Sequence, residues 1–120
     1  MSVSITGGSV SPSTALTLNA QTGTTYTFAL TDQNNVLVTA SNASAQTYTI
    51  PLNSTAAIAI GATLNIIQIG AGQVTIVGAS GVTVASTGAT AAQPKLRVQY
   101  ASATLIKVAT DTWYVVGDIA

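Results

Sequence analysis

The sequence contains no cysteine, no histidine and no glutamate, and only six of its 120 residues are charged: Asp32, Lys95, Arg97, Lys107, Asp111 and Asp118. Each absence removes a class of function. Without His or Cys there is no Ser-His-Asp triad, no Cys nucleophile, no disulfide and no zinc site of the usual kind. No phosphate-cradling P-loop pattern occurs. The apolar runs are short and broken by Thr, Asn and Gln, so no transmembrane helix is expected. The start, Met1-Ser2-Val3-Ser4-Ile5-Thr6, has neither the basic nor the apolar region of a signal peptide. Absence of Cys fits synthesis in a reducing cytoplasm.

The formal net charge is zero. No basic patch is present to release counterions, so nucleic-acid binding is not expected. Attraction to an anionic membrane surface lacks its cations as well. A charge-poor surface also resists self-association poorly. Ordinary domains carry about 25% charged residues, whereas this chain carries 5%. Much of its surface is therefore expected to be covered by other protein.

What is present is Thr and Ala, 20 of each, with 11 Ser and only six aromatics. The length suits one domain. Thr, Val, Ile and Tyr favour strands, and Gly, Asn and Pro punctuate them. Strands are expected at 3–6, 15–19, 26–30, 36–40, 46–50, 64–69, 73–77, 82–84, 95–100, 104–108 and 113–116. Turns fall at Asp32-Gln33-Asn34-Asn35, at 41–44 and at Thr110-Asp111-Thr112. Gly70-Ala71-Gly72 between two alternating runs reads as a three-residue hairpin loop. No window shows a helical period. The expectation is an all-β domain of about ten short strands, as a sandwich, a barrel or an intertwined β-prism. Residues 1–20, rich in Ser, Thr and Gly, read as an extended attachment arm, and 21–120 as the β body.

Two patterns argue against a longer-range repeat. Residues 70–77 resemble 78–85, but two copies are too few for a solenoid. Thr-x-Thr pairs fall at 22–24, 25–27, 47–49 and 110–112. Regular arrays of such pairs order water on flat β-solenoids in some ice-binding proteins, but these positions share no period, so no array is expected.

The three Asp residues sit in turns or at strand ends, where Asp ordinarily bonds backbone. Paired carboxylates hydrolyse glycosides only a few ångström apart, and nothing in the spacing brings these together. No catalytic residue, cofactor or metal is expected. Lys95, Arg97 and Gln99 share one strand face, and Leu96, Val98 and Tyr100 the other. Lys95, Arg97 and Lys107 are candidates for ion pairs with Asp111 or Asp118, within the chain or between chains. Trp113 and Tyr114 point to opposite faces, and Tyr100, Trp113 and Tyr114 are the candidate core or interface aromatics.

Two segments resemble motifs of tailed-bacteriophage tail fibres and virion structural proteins. One is Gly61-Ala62-Thr63-Leu64-Asn65-Ile66-Ile67-Gln68-Ile69-Gly70-Ala71-Gly72-Gln73-Val74-Thr75-Ile76. The other runs from Lys95-Leu96-Arg97-Val98-Gln99-Tyr100 through Lys107 and Asp111 to Trp113. With the Tyr26-to-Pro51 region in similar order, the resemblance covers about residues 25–119. It implies an all-β, usually trimeric component of the virion surface, made in the host cytoplasm, with no cofactor. Fibres usually place this module after a long shaft. The short arm here extends the expectation to a capsid decoration or cement protein, a head fibre or a small tail spike. The expected partners are further copies of the chain, other capsid or tail proteins and a host surface glycan or protein.

Overall fold

A computed structural model describes residues 15–120. The expected strand at 3–6 and most of the expected arm lie outside the described residues. The rest is all-β, with nine strands: β1 Thr17–Gln21, β2 Thr25–Thr27, β3 Val36–Ala40, β4 Gln46–Ile50, β5 Thr63–Gln68, β6 Val74–Gly78, β7 Thr83–Ser86, β8 Ser102–Ala109 and β9 Thr112–Gly117. β1 takes the last residues of the expected arm into the body.

The strands form two sheets, one ordered β1-β3-β5-β8-β9-β7 and the other β2-β4-β6. β1, β3 and β5 run parallel in the first, and β2, β4 and β6 run parallel in the second. The chain therefore coils, laying one strand in each sheet per turn, until the antiparallel β8–β9 hairpin closes the larger sheet. Pairing partners in successive coils are not evenly spaced. Thr17 meets Val36 and Thr25 meets Thr47, whereas Ala40 meets Gln68 and Gln46 meets Val74. Unequal coils leave no period in the sequence, although the parallel stacking is that of a short solenoid.

This corrects the hairpin expected at Gly70-Ala71-Gly72. β5 and β6 lie in different sheets, and the glycines form the corner between them. That corner stacks on the one above: Gly72 N–H donates to Asn42 O at 2.8 Å, and Asn42 Nδ2 donates to Thr22 O at 2.8 Å. A side chain on Gly72 would run into the Ser44 carbonyl, and one on Gly70 into the backbone of Asn42. Gln46 and Gln68, both buried, close the same end of the core. Gln46 donates to Gly72 O at 3.0 Å, and Gln68 donates to Gly70 O at 3.2 Å while accepting from Val74 N at 3.0 Å.

The strand expected at 95–100 is also corrected. Only Lys95 and Leu96 make bridges, to Thr75 and Ile119. Leu96 is buried, but Val98 and Tyr100 are exposed, so the alternation of that segment is not a buried face against a wet one. Tyr100 has a φ of 71°, in the left-handed region that aromatic residues seldom enter, and it turns the chain toward β8.

One core lies between the sheets, built from inward residues of both, among them Val38, Tyr48, Ile50, Leu64, Ile66, Ile76, Leu105 and Trp113. Tyr26, Phe28 and Tyr48 pack with ring centroids 5.6 to 5.9 Å apart. The Tyr48 hydroxyl is buried without a partner among the described residues. Burial pushes Tyr48 up to about 12, and burial followed by its bond to Asp32 does the same to Tyr26. Both ordinarily ionise near 10, so the folded state holds these protons more tightly than the unfolded one. The stabilisation they give is whole below pH 10 and is lost as pH rises through 12. Denaturation midpoints are expected to fall across that window, with tyrosinate absorbance rising as circular dichroism is lost. Tyr48→Phe removes the unpartnered hydroxyl and is expected to raise stability by about 1 kcal/mol, read from urea unfolding at neutral pH.

Candidate interaction surface

A strand alternates its side chains between faces, and Val38, Leu64, Ile66, Leu105, Trp113 and Val115 take the inward positions. The intervening residues form the outer face of the six-stranded sheet, in rows set by the register. One row is Leu18–Leu37–Asn65–Thr104–Val116. A second is Ala20–Thr39–Ile67–Ser102. A third is Thr63–Ile106–Tyr114–Ala85. None of these residues is charged. Leu18 is 66% exposed, and Tyr114 and Val116 are 49% exposed each, so large apolar side chains face outward on strands at both ends of the sheet. The amide oxygen in the middle already has a partner, since Thr104 Oγ1 donates to Asn65 Oδ1 at 2.9 Å. Covering this face would strand no charge and leave that pair intact.

At the β7–β9 end the face dips into a shallow, open groove of about 380 Å³ lined by Ala85, Ser86, Thr87, Tyr114, Val115 and Val116. Beyond the ends of β5 and β8, Ile69, Val98 and Tyr100 add further exposed apolar surface.

The three-stranded sheet presents a different outer face. Thr25, Thr47 and Thr75 stack in one column, and Thr27, Thr49 and Val77 in the next. The ordered threonines that the sequence spacing argued against are therefore present, over three strands. Their hydroxyls make this the hydrated side, with the apolar side opposite.

The charged residues keep off the apolar face, whereas Lys95, bridged to Thr75, continues the first threonine column. Among the described residues the one ion pair is Arg97–Asp118, with Nε to Oδ1 at 2.6 Å and Nη2 to Oδ2 at 3.0 Å, on the surface of a single chain. The guanidinium holds the Asp118 carboxyl below the usual carboxylate range, chiefly through that hydrogen bond. Lys107 turns inward and is 2% exposed. Its Nζ donates to Asn53 Oδ1 and Ile58 O, both at 2.6 Å, and lies 6.0 Å from the Trp113 ring centre. Asp111 caps the same loop, its Oδ1 accepting from Asn53 N at 2.8 Å. Lys107 is thus out of reach of a neighbouring chain. Lys95 joins the chain end, its carbonyl accepting from Ala120 N at 2.8 Å. Of the three aromatics singled out in the sequence, Trp113 is core, and Tyr100 and Tyr114 are exposed.

Asp32 is 2% exposed and caged by donors: Asn19 Nδ2 at 2.8 Å, Tyr26 Oη at 2.6 Å and Ala29 N at 2.8 Å. The turn expected at Asp32–Asn35 is present, with Asn34 and Asn35 at φ of 54° and 46°, a region Asn tolerates. The carboxylate's work there is to bind β1, β2 and the turn together. No group of three or more potential metal ligands occurs among the described residues, and no helix among them is long and apolar enough to cross a membrane. Compared with protein-family models, curated proteins and solved structures, the chain has no significant match.

Proposed function

We propose that the chain is a structural component of a tailed-bacteriophage particle that works as a homotrimer on the virion surface. It would serve as a capsid decoration or cement protein, a head fibre or a short tail fibre or spike. The observation that carries this reading is the uncharged, apolar outer face of the six-stranded sheet. Strands about 4.8 Å apart and about 3.3 Å of rise per residue give that face a footprint of roughly 500 Å². A standard interface buries about 800 Å² per partner, so the sheet face with the adjoining Ile69–Tyr100 surface is of the right order. The threonine face opposite would remain in water. The likeness of 61–76 and 95–113 to tail-fibre motifs is the support for a phage particle and a three-fold state.

The test is analytical ultracentrifugation of the wild type against Ile106→Glu and Tyr114→Glu. A trimer is expected for the wild type. Each variant puts an unpaired carboxylate into the covered face, which is expected to weaken association at least about a hundredfold, on the order of 3 kcal/mol. A wild type that stays monomeric at micromolar concentration would sink the assembly reading.

A second reading, host-receptor recognition, rests on the open groove beside the exposed Tyr114, because an exposed ring offers a stacking platform with a polar tip. Binding of purified protein to host cells, lost in Tyr114→Ala, would favour it. Density for the chain on the capsid shell of intact particles would favour the decoration role.

A further inference from the structure

The least expected group in the interior is Lys107. It is buried, it lies beside the Trp113 ring, and its two hydrogen-bond acceptors are uncharged: the Asn53 side-chain amide and the Ile58 carbonyl. A buried cation with only neutral oxygens for partners is costly to keep. An amine in that position is also a nucleophile held against an electrophile. Nζ is 2.6 Å from Asn53 Oδ1, and a carbonyl bond is about 1.23 Å long, so Cγ lies no more than about 3.8 Å from Nζ. Reacting atoms in near-attack geometry stand about 3–3.5 Å apart, so a small rotation of the amide suffices. A carboxylate is at hand too. Asp111 Oδ1 accepts the Asn53 backbone N–H at 2.8 Å, and that nitrogen is only three bonds from Cγ.

We propose that Lys107 and Asn53 condense to a side-chain isopeptide bond, with Asp111 carrying the proton. Asp111 makes no ion pair with Lys107, so its carboxylate takes the Nζ proton through a bridging water, and the neutral Nζ attacks Cγ. The Nζ–Cγ bond forms, the Cγ–Nδ2 bond breaks, and Nδ2 leaves as ammonium, having taken the second proton of Nζ and the proton held by Asp111. Nothing is oxidised or reduced, and no co-reactant is consumed. The product ties the loop after β4 to the middle of β8 in a chain that has no cysteine for a disulfide. It also removes the buried charge.

Intact mass spectrometry of the purified full chain, followed by peptide mapping, decides the matter. The wild type is expected to weigh one ammonia less than its sequence, with the loss mapped to a branched peptide joining residues 53 and 107. Lys107→Met and Asn53→Ala are each expected at their full sequence mass, and Asp111→Asn uncrosslinked or only partly converted. A wild type at full sequence mass overturns the proposal. So does an ammonia loss mapped to an unbranched Asn53, which would be a cyclic imide formed with its own backbone. The wild-type mass is decisive even if a variant fails to fold, and it is independent of the oligomeric state and of the particle role.

Discussion

Gly72→Ala is expected to prevent stable folding, shown by loss of the cooperative urea and thermal transitions that the wild type gives. The reason is contact of backbone with backbone. The added Cβ would overlap the Ser44 carbonyl oxygen and carbon, with the Asn42 carbonyl oxygen also too close. A flexible side chain could swing away, but here the obstacle is the corner of the preceding coil. That corner is pinned by the Gly72 N–H bond to Asn42 and by the Asn42 side chain's bond to Thr22. Relieving the clash means separating two stacked corners. That would also expose the Gln46 and Gln68 bonds that close this end of the core. The cost should exceed about 4 kcal/mol, in the range reserved for severe backbone or core damage. Gly23→Ala is the control. Its Cβ would meet Thr25 backbone atoms at 3.7 and 4.0 Å, ordinary contact, so it should leave stability unchanged or raise it by up to about 1 kcal/mol.

Asp32→Ala is expected to cost about 3–4 kcal/mol in urea unfolding at neutral pH, because a charged acceptor supports bonds of about 1.5–3 kcal/mol and its loss strands buried donors. Three donors are stranded at once, from Asn19 in β1, Tyr26 in β2 and Ala29 in the turn. Asn19 is held in turn by Gln21, whose Nε2 donates to Asn19 Oδ1 at 2.8 Å, so the damage should spread along β1. Amide exchange should therefore quicken first in β1 and β2, while β8 and β9 stay protected. Asp32→Asn keeps one acceptor oxygen but introduces donors facing Tyr26 and Ala29, and should fall between the wild type and Asp32→Ala. Asp118→Ala breaks only an exposed pair and should leave the midpoint where it was.

These two sites show where sequence reasoning reaches and where it stops. Val36–Ala40 and Gln46–Ile50 are strands with the boundaries their alternation indicates, because each buries every second residue. The β8–β9 hairpin around Thr110 and Asp111 was legible for the same reason, since its two strands are adjacent in the chain. Partners one coil apart were not legible. A Gly-Ala-Gly between alternating runs suits a hairpin loop and a solenoid corner equally well. What separates the two is the approach of Asn42 and Ser44, far back in the chain. The threonine columns were hidden likewise, since Thr25 and Thr47 are in register while the coils differ in length. Lys107 did carry a signal. It falls on the same strand face as Ala103 and Leu105, both buried, and the parity of β8 placed it inside despite its charge. The run from Lys95 to Tyr100 misled in the opposite way. It alternates cleanly, yet the backbone leaves the strand after Leu96 and reverses at Tyr100.

The coiled path also gives the molecule a direction of growth. At one end the three-stranded sheet is finished off, because Ile76 N–H donates to Pro94 O and Leu96 N–H to Val74 O, both antiparallel to β6. At the other end β2 pairs on one side only among the described residues, and β1 is the marginal strand of the larger sheet at the same end. Gene duplication of one strand–corner–strand unit upstream of Thr17 would thus lengthen the body without disturbing the closing hairpin. The same insertion after β6 would have to displace the segment that seals it. Longer and shorter versions of such a protein should differ at their beginnings and agree at their ends.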